Sequence, residues 1–124
     1  MAARYTKLFQ EELPEVVLPC PDPENLKRSW FVYVIQLPKQ YTGDQRNALI
    51  THLRGLGIGC NQYFSPIHLQ PFYVREYGWK RGDLPVTEYM GDHSMSIPFF
   101  NKLSLEDQKI VVSEIKKWLK ENPA

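Results

Sequence analysis

Apolar positions along this chain change their spacing several times, and each change predicts a new element. From Ala2 to Gln10, Tyr5 and Leu8 fall on one side with no residue to cap the start, so the stretch reads as the tail of a helix whose beginning lies elsewhere. Prolines at 14, 19, 21 and 23 then interrupt backbone donation, restricting LPEVVLPCPDPENLK to a short edge strand around Val16 to Leu18 and a loop. SWFVYVIQLP, Ser29 to Pro38, is aromatic and β-branched almost throughout and predicts a strand covered on both faces. In DQRNALITHLRGLG the period lengthens to 3.6. Leu49, Ile50, Leu53 and Leu56 share one face, and Gln45, Arg46, His52 and Arg54 are expected to point to water. Asp44 is suited to cap this helix, and Gly57 to end it in a left-handed turn.

IGCNQY predicts the next strand, completing a β-α-β-like unit. Pro71 can open a short helix through Phe72, Tyr73 and Tyr77 that Gly78 ends, and Pro85 opens a second helix to about Gly91. SMSIPFF gives a short strand stopped by Pro98. The closing helix begins at Ser104, with Asp107 completing a variant capping box, and runs Leu105, Val111, Val112, Ile115, Trp118 and Leu119 down one side. These elements predict an α/β fold: a two-layer sandwich of three or four strands with helices mainly on one face.

A chain of 124 residues fits one domain and buries roughly two thirds of its unfolded surface. Fifteen basic against fourteen acidic residues, with no block longer than Lys116-Lys117, argue against nucleic acid or a membrane surface as partner. The N-terminus lacks an apolar core followed by a small-residue cleavage site, which predicts a cytoplasmic location. Cys20 and Cys60 are accordingly expected to be reduced thiols, and no CxxC or HxxxH spacing offers a metal site.

The stretch GIGCNQYFSPIHLQPFY, Gly57 to Tyr73, concentrates chemistry in a segment without regular period. Pro66 pushes its predecessor out of helical conformation and Pro71 prevents a helix from running through His68, so the segment is a loop at a strand end. Such loops present binding groups, here Asn61, Tyr63, His68, Gln70 and Tyr73. A lone histidine in this setting is more often a structural donor to a backbone carbonyl than a general base. The rings at 63, 64, 72 and 73 are more often core than binding platform. His52 and His93 sit on predicted helices among polar neighbours, where a solvated role is expected. Glu11-Glu12 and Glu106-Asp107 are sequence neighbours that do not face one another, and no GxSxG, Walker or GxGxxG motif is present, so no catalytic residue is assigned.

The run from His52 to Val112, containing GIGCNQY, PIHLQPFY, LPVTE and SIPFF in that order, resembles the C-terminal small domain of the DegT/DnrJ-type nucleotide-sugar aminotransferases. The likeness reaches back to AARYTKLF and covers essentially the whole chain, 1–124, with 1–12 corresponding to the end of an inter-domain helix. It implies the small-domain fold of aspartate-aminotransferase-like enzymes, with a small mixed or antiparallel sheet. It also implies a longer parent: pyridoxal phosphate, the Schiff-base lysine and the phosphate-holding residues belong to a large N-terminal domain, and the fragment itself binds no cofactor. None of the nine lysines sits in the family's lysine motif, so the fragment alone is expected to be inactive. The parent would be a homodimer transferring an amino group from glutamate to a keto nucleotide-sugar. Asn61, Tyr63, Phe64, His68, Gln70 and Tyr73 would be the substrate-side residues near the mouth of its site. A stand-alone regulatory or interaction module is the alternative, with a small-molecule sensor a weaker third. A domain made to cover a partner should expose an apolar patch including Phe64, Phe72, Phe99 or Phe100.

Overall fold

A computed structural model describes residues 1–124. It contains α1 (Ala2–Glu12), β1 (Tyr33–Gln36), α2 (Gly43–Gly55), β2 (Asn61–Gln62), a 3₁₀ turn (Ile67–Leu69), α3 (Pro71–Tyr77), α4 (Pro85–His93), β3 (Ser94–Ile97) and α5 (Leu105–Glu121). The sheet order is β1-β3-β2, and β3 is antiparallel to both neighbours. β1 and β2 therefore run parallel to each other with β3 inserted between them, so the expected β-α-β unit is a split one. Tyr33 pairs with Ile97 and Ile35 with Met95, and these four side chains bury on one sheet face. Against that face pack Tyr5 and Phe9 of α1, Leu49 and Leu53 of α2, and Val112 and Ile115 of α5. The two-layer α/β sandwich is thus confirmed, with a three-stranded antiparallel sheet.

Capping follows local chemistry closely. Ser104 and Asp107 form a full capping box on α5. On α2 the cap is Thr42, boxed with Gln45, rather than the expected Asp44, which sits in the first turn. Gly57, at φ +78°, makes the left-handed turn after α2. The helix stops before Leu56, leaving that side chain half exposed instead of on the buried stripe. Phe9, rather than Leu8, joins Tyr5 in the core, because i,i+4 spacing on α1 aligns them over α5. Leu105 is likewise exposed, and Gln108 takes the buried place one turn on.

The expected strand over Ser29 to Pro38 shrinks to Tyr33–Gln36. Its partner β3 has only the four residues between the end of α4 and Pro98, so nothing remains for residues 29–32 to pair with. Trp30 instead stacks on Tyr33 at 5.4 Å, with the Arg28 guanidinium carbon 4.7 Å from its ring centroid. The edge strand near Val16 to Leu18 reduces to a single bridge, Val17 to Gln36, because Pro14 and Pro19 bracket it.

Candidate functional site

The second face of the sheet carries the candidate site. Val34, Gln36 and Ser94 form its floor. Leu18 to Cys20, the Tyr63 to Ile67 turn and Thr87, Met90 and Gly91 of α4 wall a cleft of about 540 Å³. Between β2 and β3 the chain makes a long excursion, and none of the 21 core residues lies between Cys60 and Met95. Polar contacts hold this excursion instead.

Glu88, on the first turn of α4, is one centre of those contacts. Its carboxylate accepts the Gly82 amide at 2.9 Å to each oxygen, the Leu84 amide at 3.2 Å and His68 Nε2 at 2.9 Å. The Gly82 amide holds the carboxyl below the usual glutamate range; burial opposes this, and His68 and Leu84 reinforce it. His68 is 4% exposed and donates from Nε2, leaving Nδ1 without a partner. The expected structural donor role is therefore observed, with a carboxylate as acceptor in place of a backbone carbonyl. Trp79 meets the imidazole edge-on at 6.1 Å.

A second centre is Arg46. Expected in water, it is 1% exposed, and its Nη1 donates to the carbonyls of Gly91 at 2.9 Å and Ser94 at 2.5 Å while Nε reaches Asn47. A cation is tolerated there because the C-terminal end of α4 carries unpaired carbonyls and partial negative charge. His93, also expected in water, is buried, with Nδ1 2.8 Å from the Tyr89 carbonyl and its ring stacked on Tyr89 at 4.1 Å. His52 is half-buried, 3.9 Å from Glu114. Both histidines are drawn inward because α2 and α4 turn these helix faces toward neighbouring elements.

The six residues singled out from the sequence separate into three groups. Tyr63 and Phe64 stack at 4.1 Å and line the cleft, Phe64 being 66% exposed. Gln70 and Tyr73 lie on the exposed surface of the 3₁₀ turn and α3, where Phe72, Tyr73 and Tyr77 form a contiguous aromatic ridge. His68 sits beneath that surface. Asn61 lies apart on the sheet edge, its side-chain oxygen accepting from Arg54. Of the four phenylalanines expected in an exposed patch, Phe64, Phe72 and Phe100 are individually exposed, whereas Phe99 packs against Trp30 and Tyr33. Glu88 and Arg46 escaped the sequence reading. The one local signal for Glu88 is an acidic side chain in the first turn of a proline-started helix.

Close packing ties α4 to the Tyr63 to Ile67 turn. A Cβ on Gly91 would lie 2.7 Å from Pro66 Cδ and 3.1 Å from the Phe64 carbonyl oxygen, neither of which is a flexible side-chain tip. Gly91→Ala is expected to destabilise by about 1–3 kcal/mol, since overpacking exceeds the roughly 1 kcal/mol gained in helix propensity. Urea unfolding would show this as a lower midpoint at unchanged slope.

Cys60 is buried, and burial pushes its thiol up, whereas Cys20 is exposed at the cleft wall. No group of three or more His, Cys, Asp or Glu converges as a metal site. All nine lysines are exposed and none lines the cleft, so the chain offers no buried amine that fits an imine-forming cofactor. No helix is long and apolar enough to cross a membrane.

Comparisons with known proteins agree with this architecture. The chain is 27% identical over 117 residues to the spore coat polysaccharide biosynthesis protein SpsC of Bacillus subtilis, covering 94% of this chain and 30% of that protein. It is 32% identical over 115 residues to a pleiotropic regulatory protein of Geobacillus stearothermophilus, covering 92% of this chain and 29% of that one. Helicobacter pylori PseC, an aminotransferase involved in the biosynthesis of pseudoaminic acid, superposes with a TM-score of 0.83 at 19% identity, covering 98% of this chain and 31% of that one, which speaks to the fold alone. The chain thus spans about 30% of the length of the relatives it matches. The model of the DegT/DnrJ/EryC1/StrS aminotransferase family matches residues 1–116, and the chain belongs to that family.

Proposed function

We propose that residues 1–124 are the C-terminal small domain of a pyridoxal-phosphate-dependent aminotransferase, with residues 1–12 the end of its inter-domain helix. The parent passes an amino group from glutamate to a keto nucleotide-sugar in the cytoplasm and works as a homodimer. The observation that carries this reading is a family match over residues 1–116 in a chain about 30% as long as its relatives. Transamination needs a lysine to bond the substrate or cofactor and to move a proton, and the nine lysines here are all solvated. When bound, the cofactor supplies the electron sink; in this reading a large domain holds it.

This chain's own part is then the rim. Tyr63 and Phe64 offer stacked rings, Gln70 and Tyr73 offer hydrogen-bonding groups at the surface, His68 braces the turn that carries them, and Asn61 acts from the sheet edge. Incubation with pyridoxal phosphate followed by borohydride is expected to leave no stoichiometric pyridoxyl adduct on any one lysine by intact mass. A single-site adduct accompanied by turnover of a keto-sugar would overturn the reading. In a titration with a nucleotide-sugar followed by NMR, shifts should centre on residues 63–73, and shifts elsewhere alone would remove the site assignment. The name of the Geobacillus relative favours the second reading, a regulatory or interaction module. Stable capture of a protein partner by this chain without a large domain would support it.

A further inference from the structure

The segment from the 3₁₀ turn to the start of α4 is attached to the rest of the molecule in an unusual way. Every residue from Gln70 to Thr87 is exposed, and α3 buries no side chain. A helix of seven residues is far too short to hold itself in water. Its apolar side chains face outward: Ile67 and Tyr77 are each 66% exposed and Val86 77%. What draws the two ends of this segment together is one side chain. His68 at its beginning and the amides of Gly82 and Leu84 at its end all donate to the carboxylate of Glu88.

We propose that residues Ile67–Leu84 form a flap that opens as a unit while the core stays folded, and that the Glu88 carboxylate is its latch. Hydrogen bonds to an ionised acceptor are about twice as strong as neutral ones, and here three donors converge, so losing the charge releases both ends together. The titratable groups that act on Glu88 are His68 from the 3₁₀ turn and Arg81 from the flap. Arg81 is itself held by Asp92 at 2.8 Å, which leaves His68 as the one side chain hydrogen-bonded to the latch. Because the folded carboxyl titrates below its ordinary value, the latch is complete above the usual glutamate range and is lost as pH falls through the lower folded value. The flap carries Gln70 and Tyr73, so its consequence for substrate access rests on the reading above; the opening itself does not.

Amide hydrogen exchange on the 124-residue chain, without any ligand, tests the latch. Glu88→Gln keeps the shape but places an amide donor against the Gly82 and Leu84 donors. The Val74, Gly78, Gly82 and Leu84 amides are expected to lose protection by about tenfold or more, with Val112 and Ile115 of α5 unchanged. Equal loss at both sets, or no loss at the flap, overturns the proposal. Should the variant fail to fold, the wild-type chain is followed as pH is lowered, with intrinsic rates corrected. Flap amides must then lose protection before those of α5, and simultaneous loss overturns the latch. None of these outcomes depends on sugar binding, so failure here is distinguishable from failure of the aminotransferase reading.

Discussion

Tyr33→Ala is expected to remove about 4 kcal/mol of stability, a large part of the roughly 5–15 kcal/mol that holds a domain of this size together. Tyr33 is fully buried, with the ring of Tyr5 at 5.2 Å, that of Trp30 at 5.4 Å and that of Phe99 at 6.2 Å. Truncation leaves a cavity beneath three rings anchored on three different segments: α1, the stretch before β1 and the stretch after β3. None can move into it without leaving its own packing. The Tyr33 hydroxyl also lies 2.8 Å from Thr6 Oγ1, a contact that fastens α1 to the sheet. Tyr33→Phe isolates that contact and should cost only about 1 kcal/mol. Urea unfolding of the pair separates the two contributions: a Phe variant as damaged as the Ala variant would show that the hydroxyl, and not the ring, organises the cluster.

Arg46→Met is expected to cost about 3 kcal/mol, although methionine is apolar and fills most of the same volume. The loss comes from the carbonyls of Gly91 and Ser94, which keep no donor once the guanidinium is gone. Burial lowers the arginine's pKa, with the nearby Asp92 charge opposing that shift. Asp92 bonds Arg81 rather than Arg46, so Arg46 is compensated by helix-end carbonyls instead of by a direct ion pair. A midpoint shift at unchanged slope in urea would bear this out. A neutral result would mean that the two carbonyls find water without help from the side chain.

These two positions differ in how visible they are before folding. Tyr33 stands in the most aromatic and β-branched run of the chain, which predicts a buried strand, although Phe31 of the same run is exposed. Arg46 shares the i, i+3, i+4, i+7 stripe of Leu49, Ile50 and Leu53, but its charge assigns it to solvent when the sequence is read alone. The difference lies in distance along the chain: the carbonyls that Arg46 satisfies are 45 and 48 residues away. The same separation hid Glu88, which lies 20 residues from His68. No local period records a partner so remote. The candidate site was therefore legible as a location, the loop after β2, but not as an arrangement. The residues around His68 favoured a structural donor role, but only the structure supplies its acceptor, the Glu88 carboxylate.

By itself, the sequence determined the helices, the capping box of α5, the proline-opened turns of α3 and α4, and the family. Each of these depends on contacts within a few residues or on a pattern of residues kept in order. Tertiary structure alone decided that β3 lies between β1 and β2, that strands end where a neighbour runs out, and that Arg46, His93 and Glu88 bury their polar groups. Those outcomes depend on which segments cross. A buried polar group must find its partner in whatever backbone the fold brings past it.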